Sequence, residues 1–293
     1  MTLWRRSGVR LDGTAVIVGG GSGIGEALAL QLAGEATRVV VVDCDLDRAE
    51  RVASAVQASA GGAHAEVCDA GDATAVESLA DRLFQQHGPL RLWVNAAGRG
   101  QWGDALGASE AVWRRLMDEN YWPVVWPTLA AYRRMCDQTP AKEGCRGRIV
   151  NIASASALIP TPTTIPYTAS KHAVAGFTLA LREEAAPMGV RVSLVCPGPV
   201  ATRFHESLLV TGADRAAAAT AGRAAPAGSI SACEAAEATL EAVRRDQRIA
   251  VFPARLRRQW QVANWFPSIL SGPMQRIVAS MRRSQGQHGS EGS

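Results

Sequence analysis

Seven short runs of Val, Ile and other apolar residues recur along this chain, each parted from the next by a stretch of helix length. The runs are residues 14–19, 38–43, 63–69, 90–95, 148–154, 191–197 and 248–253. They are apolar at successive positions rather than alternate ones, so both faces of each strand need cover. Segments 23–33, 46–59, 73–87, 109–135, 166–188 and 232–245 are placed to supply that cover as helices. Strand, crossover helix, strand is the pattern of a parallel, doubly wound α/β sheet. A chain of 293 residues suits one such domain with an extension.

Composition removes most alternatives. With 47% hydrophobic and 20% charged residues the chain is neither collagen-like nor disordered. The net charge of +4 is spread out, with no basic stripe and no Cys/His finger, so nucleic acid is not an expected partner. Six cysteines form no CxxC pair and read as reduced thiols of a cytoplasmic protein. Arg5, Arg6 and Arg10 have no apolar stretch behind them, so no signal peptide is expected. No run of about 18 apolar residues occurs, so no membrane span is expected. Only two of the 31 basic residues are lysines, Lys142 and Lys171, which first reads as codon bias.

The segment Val18-Gly19-Gly20-Gly21-Ser22-Gly23-Ile24-Gly25 falls where the first strand meets the first helix. Glycines there let the backbone turn tightly and approach a pyrophosphate, and the helix start offers free N–H groups. Gly19, Ser22, Gly23, Ile24 and Gly25 are therefore candidate cofactor residues of a Rossmann-type sheet. No GK[ST] follows, which excludes a P-loop. Asp43 closes the second strand 20 residues beyond Gly23, where a carboxylate accepts from ribose hydroxyls and repels a 2′-phosphate. No Arg occupies Ser22 or Cys44 as a phosphate partner. NAD is favoured over NADP.

Tyr167 and Lys171 stand four residues apart at the start of the long helix after the fifth strand, on one helix face. Free tyrosine, with a pKa near 10, is a poor base at neutral pH, and a neighbouring ammonium favours its phenolate. Ser154 precedes the tyrosine by 13 residues, at the carboxyl tip of a strand where such sheets bind ligands. His172 reads as a helix-surface residue.

From residue 11 to 253 the chain resembles a classical short-chain dehydrogenase/reductase. The residues that carry the resemblance are Gly23–Gly25, Cys68-Asp69, Asn95-Ala96-Ala97-Gly98, Asn120, residues 149–154, the Tyr167/Lys171 pair, and Pro197-Gly198 leading to Thr202. The resemblance implies that Tyr167 is the general acid/base, Ser154 holds the substrate oxygen, and Asn120 positions a water in a proton relay. Lys171 would bind the nicotinamide ribose and lower the tyrosine pKa. Asp69 would reach the adenine, Asn95, Ala96 and Gly98 would line the adenosine side, and Thr202 would contact the carboxamide. Pro197, Gly198 and Val200 complete the implied cofactor contacts. Val18 stands where the family usually has Thr, and Ala96 where a second Asn is common.

The expected reaction is hydride transfer, without a metal, between NAD and an apolar alcohol or ketone. An NADPH-linked carbonyl or 3-oxoacyl reductase is the alternative, and a non-catalytic dinucleotide-binding regulator is the rival from another class. Residues 155–166, apolar and with three prolines, are expected to wall the substrate pocket with a lid, 204–231, that has no clear strand. Residues 137–146 read as a polar loop. Residues 254–283 form an extension with Arg255, Arg257, Arg258, Trp260, Trp265 and Phe266. It is expected to pack over the substrate mouth or a subunit partner in preference to a membrane surface, with Pro267 and Pro273 interrupting any long helix. The tail, 284–293, is expected to be disordered. The resemblance implies a homodimer or homotetramer through helices 109–135 and 166–188.

Overall fold

The computed structural model describes residues 11–59, 62–141, 144–212, 228–276 and 278–279. Each apolar run becomes a strand of one sheet: β1 (Leu11–Val18), β2 (Ala36–Asp43), β3 (Ala63–Val67), β4 (Leu90–Asn95), β6 (Gly147–Ile152), β7 (Val190–Pro197) and β11 (Ile249–Phe252). Their order is β11-β7-β6-β4-β1-β2-β3, and every pairing is parallel. β3 is shorter than the sequence suggests, ending at Val67, because the chain beyond turns off to carry Asp69 over the sheet edge.

The double covering explains the uninterrupted apolar runs. Ala15 and Ile17 enter a core with α1 (Gly23–Gln31), α2 (Leu46–Ala58) and α7 (Ala232–Arg244), while Val16 and Val18 enter the opposite core. That second core packs α3 (Ala73–His87), α5 (Trp122–Asp137) and α6 (Ile165–Ala185). The helices start where polar caps allow. Asp45 accepts from the Arg48 N–H, Asp72 from the Thr74 and Ala75 N–H groups, and Ser231 with Glu234 forms a capping box.

Two expectations need correction. The single helix over 109–135 is two helices, α4 (Glu110–Asn120) and α5, jointed at Tyr121. Pro123 has no N–H to continue the first helix and is placed in the opening turn of the second, where none is needed. The break leaves Asn120 at a helix end. The lid also contains strands. β9 (Leu209–Thr211) pairs with β5 (Gln101–Gly103), and β10 (Ile230–Ser231) pairs with β8 (Val200–Ala201). Residues 213–227 of the lid, Lys142 in the polar loop and the tail 284–293 lie outside the described residues. The extension begins as α8 (Ala254–Trp265), and the helix stops before Pro267.

Candidate active site

All strands of the sheet run one way, so their carboxyl ends share an edge. β1 pairs with β2 on one side and β4 on the other, and ligands of such sheets bind in the crevice above that reversal. A cleft of about 1290 Å³ opens there. It exceeds the roughly 300–1,000 Å³ of an ordinary small-molecule pocket, and so has room for a dinucleotide beside a substrate.

The turn from β1 into α1 forms the floor at one end. Gly19 has a φ of +74°, and a Cβ there would stand 2.7 Å from the Ala97 nitrogen. A Cβ at Gly25 would run into the Gly19 carbonyl oxygen, so only glycine lets α1 start this close to β1. Gly19, Ser22, Gly23 and Ile24 line the cleft, whereas Gly25 is buried beneath them. The Ser22 side chain caps none of the first-turn N–H groups of α1. Those donors and the positive end of the helix face the cleft, an arrangement that suits a pyrophosphate.

Asp43 closes β2 beside this turn. Its Oδ2 accepts from the Gly21 N–H at 3.0 Å and its Oδ1 from the Asp45 N–H at 3.2 Å. Asp43 is also 3.3 Å from the Arg48 guanidinium, which pairs with Asp45 as well. The sequence reading weighed only Ser22 and Cys44 as places for a phosphate partner. Arg48 was legible as the residue one helical turn beyond the Asp45 cap. Asp69 lines the cleft next to Asp43, its Oδ1 accepting from the Gly71 N–H at 2.8 Å.

The turn after β4 gives the next wall. Ala96, Ala97 and Gly98 line the cleft. Asn95 turns its side chain away from the cleft. Its fully buried amide accepts from the Trp93 indole at 3.0 Å and donates to Thr128 Oγ1 and Asn151 Oδ1, both at 2.9 Å. Asn151 in turn donates to Thr178 Oγ1 at 3.0 Å. This closed network ties β4 to β6, α5 and α6, where an unpaired amide would be costly.

At the other end stand Ser154, Tyr167 and Lys171, all lining the cleft. The Ser154 hydroxyl faces the Tyr167 phenol and favours its phenolate. Lys171 Nζ donates to the Ile152 carbonyl oxygen at 3.5 Å and lies 5.9 Å from the tyrosine ring centroid. Asn120 is fully buried behind Gly98, where a Cβ would stand 2.8 Å from its Oδ1 and 3.0 Å from Lys171 Nζ. Its amide donates to the Arg99 carbonyl oxygen at 3.0 Å and to Ser170 Oγ at 3.1 Å, and accepts from the Arg99 N–H at 2.8 Å. Ser170, missed by the sequence reading, also donates to the Tyr167 carbonyl oxygen at 2.7 Å. His172 is exposed, with its ring against the Thr168 carbonyl oxygen.

Burial pushes the Tyr167 hydroxyl up to about 12 and the Lys171 amine down to about 8. The Ser154 hydroxyl pulls the phenol the other way. Loss of solvent outweighs that pull.

Pro197, Gly198, Val200 and Thr202 line the cleft from the end of β7 onward, Thr202 lying 3.5 Å from where a Gly23 Cβ would be. Thr202 Oγ1 accepts from the Phe204 N–H at 3.3 Å and opens a short helical turn, Arg203–Ser207. Phe204 from this turn stands 6.2 Å from the Tyr167 ring. Phe204, Trp102, Leu208 and Val210 make the neighbouring wall apolar. Gly100 lies so close under Phe204 and Leu208 that a Cβ there would clash with both.

Fold and cleft together define a doubly wound α/β protein built to hold a nucleotide against a buried Tyr/Lys pair with Ser154 beside it. The sequence profile of the short chain dehydrogenase family matches residues 13–213. The short-chain dehydrogenase fogB of Aspergillus ruber is 37% identical over 207 residues, covering 66% of this chain and 76% of that protein. The probable oxidoreductase EphD of Mycobacterium tuberculosis is 34% identical over 193 residues, covering 66% of this chain and only 32% of EphD. A short-chain dehydrogenase/reductase from Burkholderia phymatum, solved with NAD, superposes with a TM-score of 0.80 at 26% identity, over 89% of this chain and 96% of its own. The chain belongs to the short-chain dehydrogenase family, oxidoreductases that act on CH–OH groups.

Proposed function

We propose that this enzyme transfers a hydride between NAD(H) and the hydroxyl or carbonyl group of an apolar alcohol or ketone. The observation that carries the reading is Ser154, Tyr167 and Lys171 gathered at one end of a cleft whose other end holds the uncapped α1 start and Asp43. Gly19, Ser22, Gly23 and Ile24 hold the pyrophosphate, with Gly25 supporting the turn. Asp43 takes the ribose hydroxyls, Asp69 the adenine, and Ala96 and Gly98 the adenosine side. Lys171 binds the nicotinamide ribose, with Pro197, Gly198, Val200 and Thr202 around the nicotinamide. NAD bound there supplies the hydride acceptor or donor at its ring C4. Tyr167 moves the proton of the substrate oxygen, Ser154 holds that oxygen by a hydrogen bond, and Asn120 positions a water behind Lys171. Trp102, Phe204, Leu208 and Val210 support the apolar substrate class, and the NAD in the Burkholderia phymatum relative supports the cofactor.

Tyr167→Phe tests the mechanism: turnover falls by about 10²–10⁴-fold with NAD affinity retained. Turnover within a few-fold of wild type overturns it. Ser154→Ala gives the pH sign. Its hydroxyl favours the phenolate, so removing it raises the Tyr167 pKa and moves the alkaline rise of alcohol oxidation to higher pH.

Arg48 favours the second reading, an NADPH-linked carbonyl or 3-oxoacyl reductase, because it is close enough to Asp43 to meet a 2′-phosphate. Residues 11–253 are proposed as the catalytic unit with 204–231 as its lid, and 254–283 as a separate extension. The six free thiols fit a cytoplasmic enzyme. Assembly as a homodimer or homotetramer is placed on α4, α5 and α6.

A further inference from the structure

The catalytic cleft leaves the extension unused. α8 starts where β11 ends, on the edge of the sheet at which the cleft opens. Its inward face is short: Leu256 packs against Gly198, and with Trp260 one turn later it joins the core beside α6 and β7. None of its residues is buried outright. Val262 is 44% exposed and Trp265 82%, three residues apart on one helix face. Phe266 and Ile269, 65% and 54% exposed, add apolar surface in the turn that follows. Arg258 and Arg255, four and seven residues before Val262, share its face.

The charge around this stripe has one sign. From Gln247 to Ser290 the sequence holds no Asp or Glu, although the chain has 27. After Pro253 the same stretch holds Arg255, Arg257, Arg258, Arg276, Arg282 and Arg283. None of the ion pairs among the described residues involves Arg255, Arg257, Arg258 or Arg276. Among the described residues no helix is long and apolar enough to cross a membrane.

We infer that α8 and the turn after it dock the enzyme on an anionic phospholipid surface. Trp265, Phe266 and Ile269 enter the headgroup region, and the arginines lie against the lipid phosphates. A second copy of the chain fits this stripe less well. A two-fold contact sets the stripe against itself, bringing Arg255 and Arg258 toward their own copies with no carboxylate in the stripe to neutralise them. Because α8 stands on the cleft edge, docking brings the cleft close to the bilayer, where apolar alcohols and ketones partition. That consequence rests on the proposed substrate class, whereas the docking itself does not.

The full-length enzyme is co-sedimented with vesicles of phosphatidylcholine alone and with vesicles rich in phosphatidylserine. The protein pellets with the anionic vesicles only and is released as salt is raised. A Trp265→Ser/Phe266→Ser variant partitions about tenfold or more weakly while keeping its melting temperature and its turnover in solution. Should that variant fold poorly, Arg255→Glu/Arg258→Glu, which alters only exposed side chains, weakens binding in the same assay. Absence of pelleting with anionic vesicles, or equal pelleting of the folded variants, overturns the inference. A change of subunit number by light scattering in either variant assigns the stripe to a second copy and overturns it too. Sedimentation needs no turnover, so failure of the proposed reaction leaves this test intact.

Discussion

The two ends of the cleft differ in how far side chains add to the backbone bonds that hold them. At the nucleotide end backbone meets backbone: the Gly19 and Gly20 N–H groups both donate to the Val42 carbonyl oxygen, at 2.8 and 2.9 Å. The Ala96 N–H donates to the Val18 carbonyl oxygen at 2.8 Å, and the Cys68 N–H to that of Asp43 at 3.0 Å. At the substrate end two three-residue strands, β5 and β9, are pinned by side chains. Gln101 donates to Thr211 Oγ1 at 2.8 Å, while Arg99 pairs with Glu119 at 2.5 Å and donates to the Ser207 carbonyl oxygen at 3.1 Å. The nucleotide turn depends on the absence of side chains at its glycines, and the β5–β9 wall, besides the bare Gly100 under Phe204 and Leu208, on the presence of particular ones. Substitution at a glycine of the nucleotide turn therefore displaces backbone, whereas trimming Gln101 or Arg99 only loosens the wall built on β5 and β9.

Among the residues that support the two ends, the largest effect is expected from Gly25→Val. Its side chain must displace the Gly19 backbone, and NAD affinity falls by about a hundredfold or more in a binding titration. Wild-type affinity would show that the nucleotide end yields as easily as the other. A smaller change comes from Asp43→Ala, which removes the carboxylate and leaves Arg48 paired with Asp45 alone. The ratio of kcat/KM with NADP to that with NAD then rises by about tenfold or more, and Arg48→Ala in the same background reverses the gain. If the second change leaves the ratio alone, Arg48 has no part in choosing the nucleotide. The smallest is expected from Arg99→Ala. A half-exposed ion pair contributes up to about 1 kcal/mol, so KM for substrate rises by about fivefold or less, with kcat and NAD affinity unchanged. Loss of kcat as well would mean that Arg99 also holds Asn120 in place.

The contrast between the ends also explains what could be read in advance. Fully apolar strands imply cover on both faces, and glycines where a turn must admit a pyrophosphate are a local signature, so the sheet and the nucleotide end were legible. So was the i, i+4 placement of Tyr167 and Lys171. In a chain with only two lysines, Lys171 sets a compact ammonium beside Tyr167 where most of the chain uses guanidinium. The pairing of β5 with β9 was not legible, because three-residue strands separated by about a hundred positions carry no periodic signal. The inward turn of the Asn95 amide was not legible for a related reason. A polar residue ending a buried strand has the same local pattern whether its amide faces a ligand or, as here, Thr128 and Asn151.

By itself the sequence determined the order of elements, the parallel sheet and the residue types at the site, because hydrophobic period and glycine geometry act over a few neighbouring positions. Only the tertiary structure decided which polar groups look into the cleft and which close on one another. It placed Arg48 on Asp43, set Asn120 and Ser170 behind Tyr167 and Lys171, and let burial outweigh hydrogen bonding in the ionisation of Tyr167. Those outcomes depend on what packs from distant parts of the chain, and on how much water that packing removes.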